Sequence, residues 1–147
     1  MFKRILIVCV GNICRSPTAE YLFRHHLASA GVSIESAGLG ALVDKPMDPT
    51  ALEVLGDHGV DGVAHRARQI SASMLRDVDL VLAMEREHVN RIARLAPEAS
   101  GKVMLLDRWN QGADIPDPYR QSREAFDHVY SLIDRGVNAW LPYLRVS

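Results

Sequence analysis

The first of two cysteines in this chain is followed at close range by an arginine and a serine, in the run Cys9-Val10-Gly11-Asn12-Ile13-Cys14-Arg15-Ser16. That spacing suits chemistry on a phosphate ester. A loop that wraps just before a helix aims several backbone N–H groups at one point and forms an anion cradle. Gly11 is expected to permit the tight backbone path. Arg15 can close the ring with a planar, two-pronged grip on phosphate oxygens that lysine cannot copy. A thiol at the base of such a cradle sits in a positive field that favours the thiolate, a strong nucleophile beneath the phosphorus. Ser16, read as a helix cap, is placed to hydrogen-bond that sulfur and ease its later departure. The bland reading of Cys9 is a buried cysteine at a strand end. A Cys-x5-Arg-[Ser/Thr] match arises by chance about once or twice in a hundred chains of this composition.

Phosphate transfer to a thiolate also needs a proton donor for the leaving oxygen. Asp117, in Ile115-Pro116-Asp117-Pro118-Tyr119, is the candidate. It falls in a long irregular stretch, and such stretches in compact domains are often functional. Flanking prolines are expected to hold its carboxyl stiffly, with Tyr119 as an aromatic wall. By itself the segment reads as an ordinary Asp-Pro turn; alongside the loop at Cys9 it reads as the acid.

The elements that must position these groups alternate. Ile5 to Cys9 is a continuous aliphatic run, as expected of a strand buried on both faces of a parallel sheet. Ser16-Pro17 reads as cap and first helical residue, with Ala19, Leu22, Phe23, Leu27 and Ala30 on one face and Gly31 at the end. Val32 to Ala37 is a second strand. Asp48-Pro49 starts a helix that Gly59 closes, and Ser71 starts a short helical turn. Asp79 to Met84 is a third strand, Glu85 to Leu95 a helix ending before Pro97, and Val103 to Leu106 a fourth strand. Phe126, Val129, Tyr130, Ile133, Val137, Trp140, Leu141 and Leu144 keep a helical spacing that reads as core packing. The pattern predicts an α/β fold, one domain over residues 1–147, with an open four-stranded parallel sheet and helices on both faces. The phosphate loop then joins the first strand to the first helix, where such folds bind ligands.

Composition limits the partners. With 17 lysines and arginines against 18 aspartates and glutamates, nothing suggests a nucleic-acid or anionic-membrane surface. No run is long and apolar enough to span a bilayer, and the short apolar run after Lys3-Arg4 lacks a cleavage pattern, so no membrane insertion is expected. Two cysteines so close together fit a reducing cytoplasm better than a disulfide framework. No set of residues has metal-ligand spacing, and the nucleotide-binding glycine motifs are absent.

Four segments carry a resemblance. Cys9 to Glu20 (CVGNICRSPTAE), Glu35-Ser-Ala-Gly38, His65-Arg-Ala-Arg-Gln-Ile70 and Asp117-Pro-Tyr119 together resemble the low-molecular-weight protein tyrosine phosphatases, in the same order along essentially the whole chain. The resemblance implies a two-step reaction through a phosphocysteine with no metal or organic cofactor. It makes Cys9 the nucleophile, Arg15 the phosphate-binding residue, and Asp117 first acid and then base. Asn12, Ser16, Ser36 and His65 become the shell that holds the loop. Animal members carry a tryptophan near Leu42 and a second tyrosine at Arg120, so the cleft wall of Leu42 and Tyr119 is expected to be less aromatic here. Leu39-Gly-Ala-Leu-Val43 and Gly101-Lys-Val-Met-Leu105 are similar to the bacterial members associated with exopolysaccharide export. By that resemblance the partner is a membrane tyrosine autokinase with a phosphorylated tyrosine-rich tail.

Rival readings differ at named positions. Thioredoxin-coupled arsenate reductases share the loop but need further cysteines near the third strand, and Asp79 to Leu95 contains none. Protein-arginine phosphatases carry threonine where Ile13 stands. A non-catalytic phosphate-reading module is expected to lack the nucleophile or the acid, and both are present. Cys14 has two readings: a small packing residue, or a redox partner that traps oxidised Cys9 as a reversible disulfide.

Overall fold

A computed structural model describes residues 2–145; Met1, Val146 and Ser147, at the ends of the expected domain, lie outside them. The aliphatic run near the N-terminus forms β1 (Arg4–Cys9), flanked in a parallel sheet by β2 (Ser33–Gly38) and β3 (Leu80–Ala83), with β4 (Val103–Leu105) beyond β3. The order is β2-β1-β3-β4, and the register sets Cys9 beside Gly38 and Val8 beside Ala83. All four strands therefore end at one edge, and the segments that follow them meet there.

Alternation along β1 decides which way each side chain faces. Ile5, Ile7 and Cys9 join one core with α1 (Arg15–Leu27), α2 (Pro49–Asp57) and α5 (Arg123–Leu144), through Leu22, Phe23, Val137 and Trp140 among others. Leu6 and Val8 join a second core with α3 (Ala72–Asp77) and α4 (Arg86–Leu95), around Leu75 and Ile92. Helices thus cover both faces, as expected. Each large side chain buried this way contributes about 1.5–3 kcal/mol relative to exposure, and the first core carries Cys9 at its upper end.

The caps at Asp48 and Ser71 form as the sequence predicts. Asp48 accepts from the N–H groups of Thr50 (2.9 Å) and Ala51 (3.2 Å), and Ser71 from that of Met74 (3.2 Å). The start of α1 differs from the expectation. The helix begins at Arg15, and its cap residue, Cys14, makes no side-chain cap bond. Ser16 is already inside the first turn, its hydroxyl turned toward Cys9. Gly31 does not end α1 directly: the helix stops at Leu27, and Gly31, at φ +72°, closes the turn that follows. Pro97 opens a 3-10 helix over Pro97–Lys102 that apolar periodicity could not reveal. Among the described residues no helix is long and apolar enough to cross a membrane.

Candidate active site

Between β1 and α1 the chain makes a loop whose carbonyl groups are all tied outward. Those of Cys9, Val10 and Gly11 accept from the N–H groups of Leu39 (2.9 Å), Gly40 (3.0 Å) and Leu42 (3.0 Å). The Ile13 carbonyl accepts from Asp48 N–H at 2.9 Å, and that of Cys14 from Thr18 Oγ1 at 2.7 Å. The Asn12 carbonyl lies 2.6 Å from His65 Nε2. With the carbonyls engaged elsewhere, the N–H groups of Gly11, Asn12, Ile13 and Cys14 have no protein acceptor among the described residues. Successive free backbone N–H groups in a loop just ahead of a helix make an anion-binding concavity.

Asn12, not Gly11, makes the tight turn. Asn12 is at φ +59°, and asparagine tolerates this left-handed region better than most residues. Gly11 keeps φ outside that region, and a Cβ there would meet only Ile13 Cγ1, at 3.7 Å. The glycine that geometry requires is Gly38, where a Cβ would lie 2.3 Å from the Val10 carbonyl oxygen. The expectation for Gly11 is corrected accordingly: close approach of the strap Leu39–Leu42 to the loop sets the need for glycine, one strand away.

The Asn12 side chain is fully buried and holds its strained backbone with three bonds. Its Nδ2 donates to Ser16 Oγ (2.8 Å) and Ser36 Oγ (2.9 Å), and its Oδ1 accepts from Arg68 N–H (2.9 Å). Ser36 donates in turn to buried Glu20 at 2.5 Å, and Glu20 is paired with Arg24 at 2.6 Å. His65 Nδ1 stands 3.9 Å from Glu20. Asn12, Ser16, Ser36 and His65 are thus brought into one network beneath the loop.

Cys9 Sγ lies on the floor, 2.9 Å from Ser16 Oγ. Arg15 is buried. Its Nη1 donates to Glu85 and, at 2.8 Å, to the Ile115 carbonyl, while its Nη2 is 3.8 Å from Asp117 Oδ2. The cleft above Cys9 has a volume of about 200 Å³ and runs from the loop residues Cys9–Arg15 to Gly40, Leu42, Asp117 and Tyr119. Leu42 and Tyr119 line this cleft and are exposed. Asp117 is less constrained than its flanking prolines suggested. Its Oδ1 accepts from Tyr119 N–H at 3.0 Å, and its side chain is half exposed. Cys14 lies below the loop as a free buried thiol, its pKa driven strongly upward by burial and, next, by the negative charge of Asp48.

The model of the low molecular weight phosphotyrosine protein phosphatase family matches residues 4–147. The chain belongs to that family. It is 51% identical over 147 residues to the low molecular weight protein-tyrosine-phosphatase Wzb of Escherichia coli, covering 100% of this chain and 99% of that protein. Among solved structures, the Erwinia amylovora tyrosine phosphatase amsI has a TM-score of 0.94 at 43% identity, with 98% of this chain and 94% of that one covered. Wzb of Vibrio vulnificus, solved in complex with benzylphosphonate, has a TM-score of 0.94 at 44% identity, covering 98% and 100%.

In this family member, sequence reasoning gave no supporting role to several groups that act from outside the loop. Glu20, Arg68 and the strap Leu39–Leu42 lie in segments that carry the resemblance, and Glu85 lies in none, but nothing local to them shows which part of the loop they hold. Topology offered one usable signal. Strap and carboxylate follow directly on the ends of β2 and β3, and in a parallel sheet those ends adjoin the end of β1. Glu85, expected as the first residue of its helix, stands just ahead of α4 without capping it, and Asp114 accepts the Arg86 N–H at 2.8 Å.

Proposed function

We propose that this protein is a protein-tyrosine phosphatase that hydrolyses phosphotyrosine in two steps through a phosphocysteine on Cys9. One observation supports this above the others. The Cys9 sulfur lies at a loop whose carbonyls are all engaged and whose N–H groups from Gly11 to Cys14 have no protein acceptor among the described residues. Donors fixed before the substrate arrives need no reorganisation as charge shifts on the phosphoryl oxygens.

In the first step the Cys9 thiolate attacks phosphorus, and the bond from phosphorus to the tyrosyl oxygen breaks. Asp117, in its acid form, gives its proton to that oxygen, so tyrosine leaves as the neutral phenol. Arg15 and the loop N–H groups hold the three equatorial oxygens. In the second step water attacks the phosphocysteine, Asp117 takes the proton, and the sulfur–phosphorus bond breaks. The departing thiolate is received by the Ser16 hydroxyl at 2.9 Å. Leu42 and Tyr119 flank the substrate ring.

The substrate is a phosphotyrosine protein. By the likeness of Leu39–Val43 and Gly101–Leu105 to exopolysaccharide-associated bacterial members, the specific partner is the tyrosine-rich tail of a membrane autokinase. A cytoplasmic location fits that partner and the presence of only two cysteines, five positions apart.

The test is phosphate release from a phosphotyrosine peptide with no metal added, for the wild type and Cys9→Ser. Turnover in the wild type that vanishes in the variant is the expected result. A folded, reduced wild type that leaves the peptide untouched but releases phosphate from phosphoarginine would move the assignment to an arginine phosphatase. Inactivity on both, with phosphate still bound, would make it a binding module.

A further inference from the structure

One buried polar group near the site has no part in the steps above. His88, in the first turn of α4, is 2% exposed, and its Nδ1 has no hydrogen-bond partner. Its Nε2 lies 3.6 Å from Oε2 of Glu85, the same oxygen that receives Arg15. One carboxylate oxygen therefore faces both the guanidinium and the imidazole. The neutral ring with its proton on Nε2 fits this setting, because that N–H points toward Glu85. A second proton would go on Nδ1, and it would make a buried N–H with no acceptor.

The surroundings act in the same direction on balance. Burial and then the positive charge of Arg15, reaching across from α1, hold the His88 pKa below the ordinary histidine value. Glu85, ahead of α4, opposes them; Arg91, further along α4, lowers it, and Asp114, in the segment after β4, raises it. His88 is thus neutral at neutral pH and gains its charge only under acid conditions.

We propose that His88 is a positioning residue that acts on Arg15 through Glu85: as neutral imidazole it leaves the carboxylate to the guanidinium, and as imidazolium it claims part of that carboxylate and loosens the grip of Arg15 on phosphate. The inference rests on the reading of Arg15 as the phosphate-binding residue. Acidification then weakens anion binding through the charge gained by His88.

Sulfate is the probe, since it stays a dianion throughout and its binding needs no turnover. Calorimetric affinities are compared for the wild type and His88→Gln, whose amide can face Glu85 but cannot gain a proton. At about pH 8 the two proteins bind sulfate equally within about twofold; at about pH 5 the variant binds about 5-fold tighter, the worth of a modest charge-assisted hydrogen bond. Parallel pH curves, or a loss in the variant of the same size at both pH values, would overturn the proposal and leave His88 a packing residue.

A measurement on the wild type guards against a variant that fails to fold. Linkage is reciprocal, so sulfate must lower the titration midpoint of His88 followed by ring nitrogen NMR. Simple attraction between a dianion and a nearby imidazolium would raise it, and a raised or unmoved midpoint rejects the idea. Sulfate binding undiminished in Arg15→Lys would sink the prior reading of Arg15 instead. Loss of binding there, with the other results negative, would sink only the role of His88.

Discussion

Two segments meet at the cleft, and they are held in unlike ways. In the loop Cys9–Arg15 every carbonyl from Cys9 to Cys14 has a partner, and the side chain at its turn, Asn12, is 0% exposed and bonded three times. The segment that carries Asp117 is anchored ahead of it and holds its carboxyl more loosely. Ile115 N–H donates to the Met84 carbonyl at 2.9 Å, and Trp140 Nε1 to that of Leu106 at 3.0 Å. Gln121 Nε2 donates to the Asp117 carbonyl at 3.0 Å, while the carboxyl has only the Tyr119 N–H and a 3.8 Å approach to Arg15. The difference fits the two proposed tasks. Anion donors work only if they are already in place, whereas an acid that meets a bulky leaving group must stand where substrate enters.

The contrast can be tested at both ends. Asp117→Asn is expected to lower kcat by about 10²–10⁴-fold for poor leaving groups, and much less for leaving groups that depart without a proton. Its thermal stability should stay within about 0.5 kcal/mol of the wild type, as for other exposed sites. A kcat loss of equal size across leaving groups, measured on a series of aryl phosphates, would take the acid role from Asp117.

Asn12→Ala should behave in the opposite manner. It removes three buried hydrogen bonds and puts alanine at a left-handed φ, so denaturant unfolding should show a loss of about 2–4 kcal/mol. Affinity for phosphate should fall with it. An Asn12→Ala protein that keeps full stability while losing activity would mean that the loop is not held the way the hydrogen bonds indicate.

The smallest effect concerns Cys14, packed under the rigid loop. Its thiol pKa is raised on folding, so its contribution to stability is complete below the unfolded thiol range and is lost as the pH rises beyond it. Above about pH 9 the wild type should lose roughly 1.4 kcal/mol per pH unit more than Cys14→Ser, the slope set by one proton. Identical slopes in the two proteins would show that the thiol is not sequestered.

Cys9, Arg15 and Asp117, the residues proposed as nucleophile, phosphate grip and acid, stood out because such chemistry restricts residue type and spacing: a thiol, a guanidinium and a carboxyl have few substitutes. Strands and caps were legible for local reasons, β1 from an unbroken aliphatic run and α2 from Asp48-Pro49. The start of α1 was misplaced because Ser16-Pro17 satisfies the same local rule, while the backbone had already turned helical at Arg15. Gly11 was credited with a turn that Asn12 makes, since a glycine in a loop carries no mark of whether its own φ demands it. Gly38 carries none either; what crowds it is the Val10 carbonyl, far away in sequence.

The sequence by itself determined which residues are candidates for the chemistry and the alternation that puts a loop between β1 and α1. Only the tertiary structure decided how that loop is held: which residues take its carbonyls, that Glu20 and Arg68 brace Asn12, and that Glu85 stands between Arg15 and His88. The physical reason is range. Reactivity and helix or strand preference reside in a residue and its near neighbours, whereas the positioning of a charge is set by partners that chain topology brings together across 50 or more positions, as it does for Asn12 with Arg68 at a separation of 56 and Arg15 with Glu85 at 70.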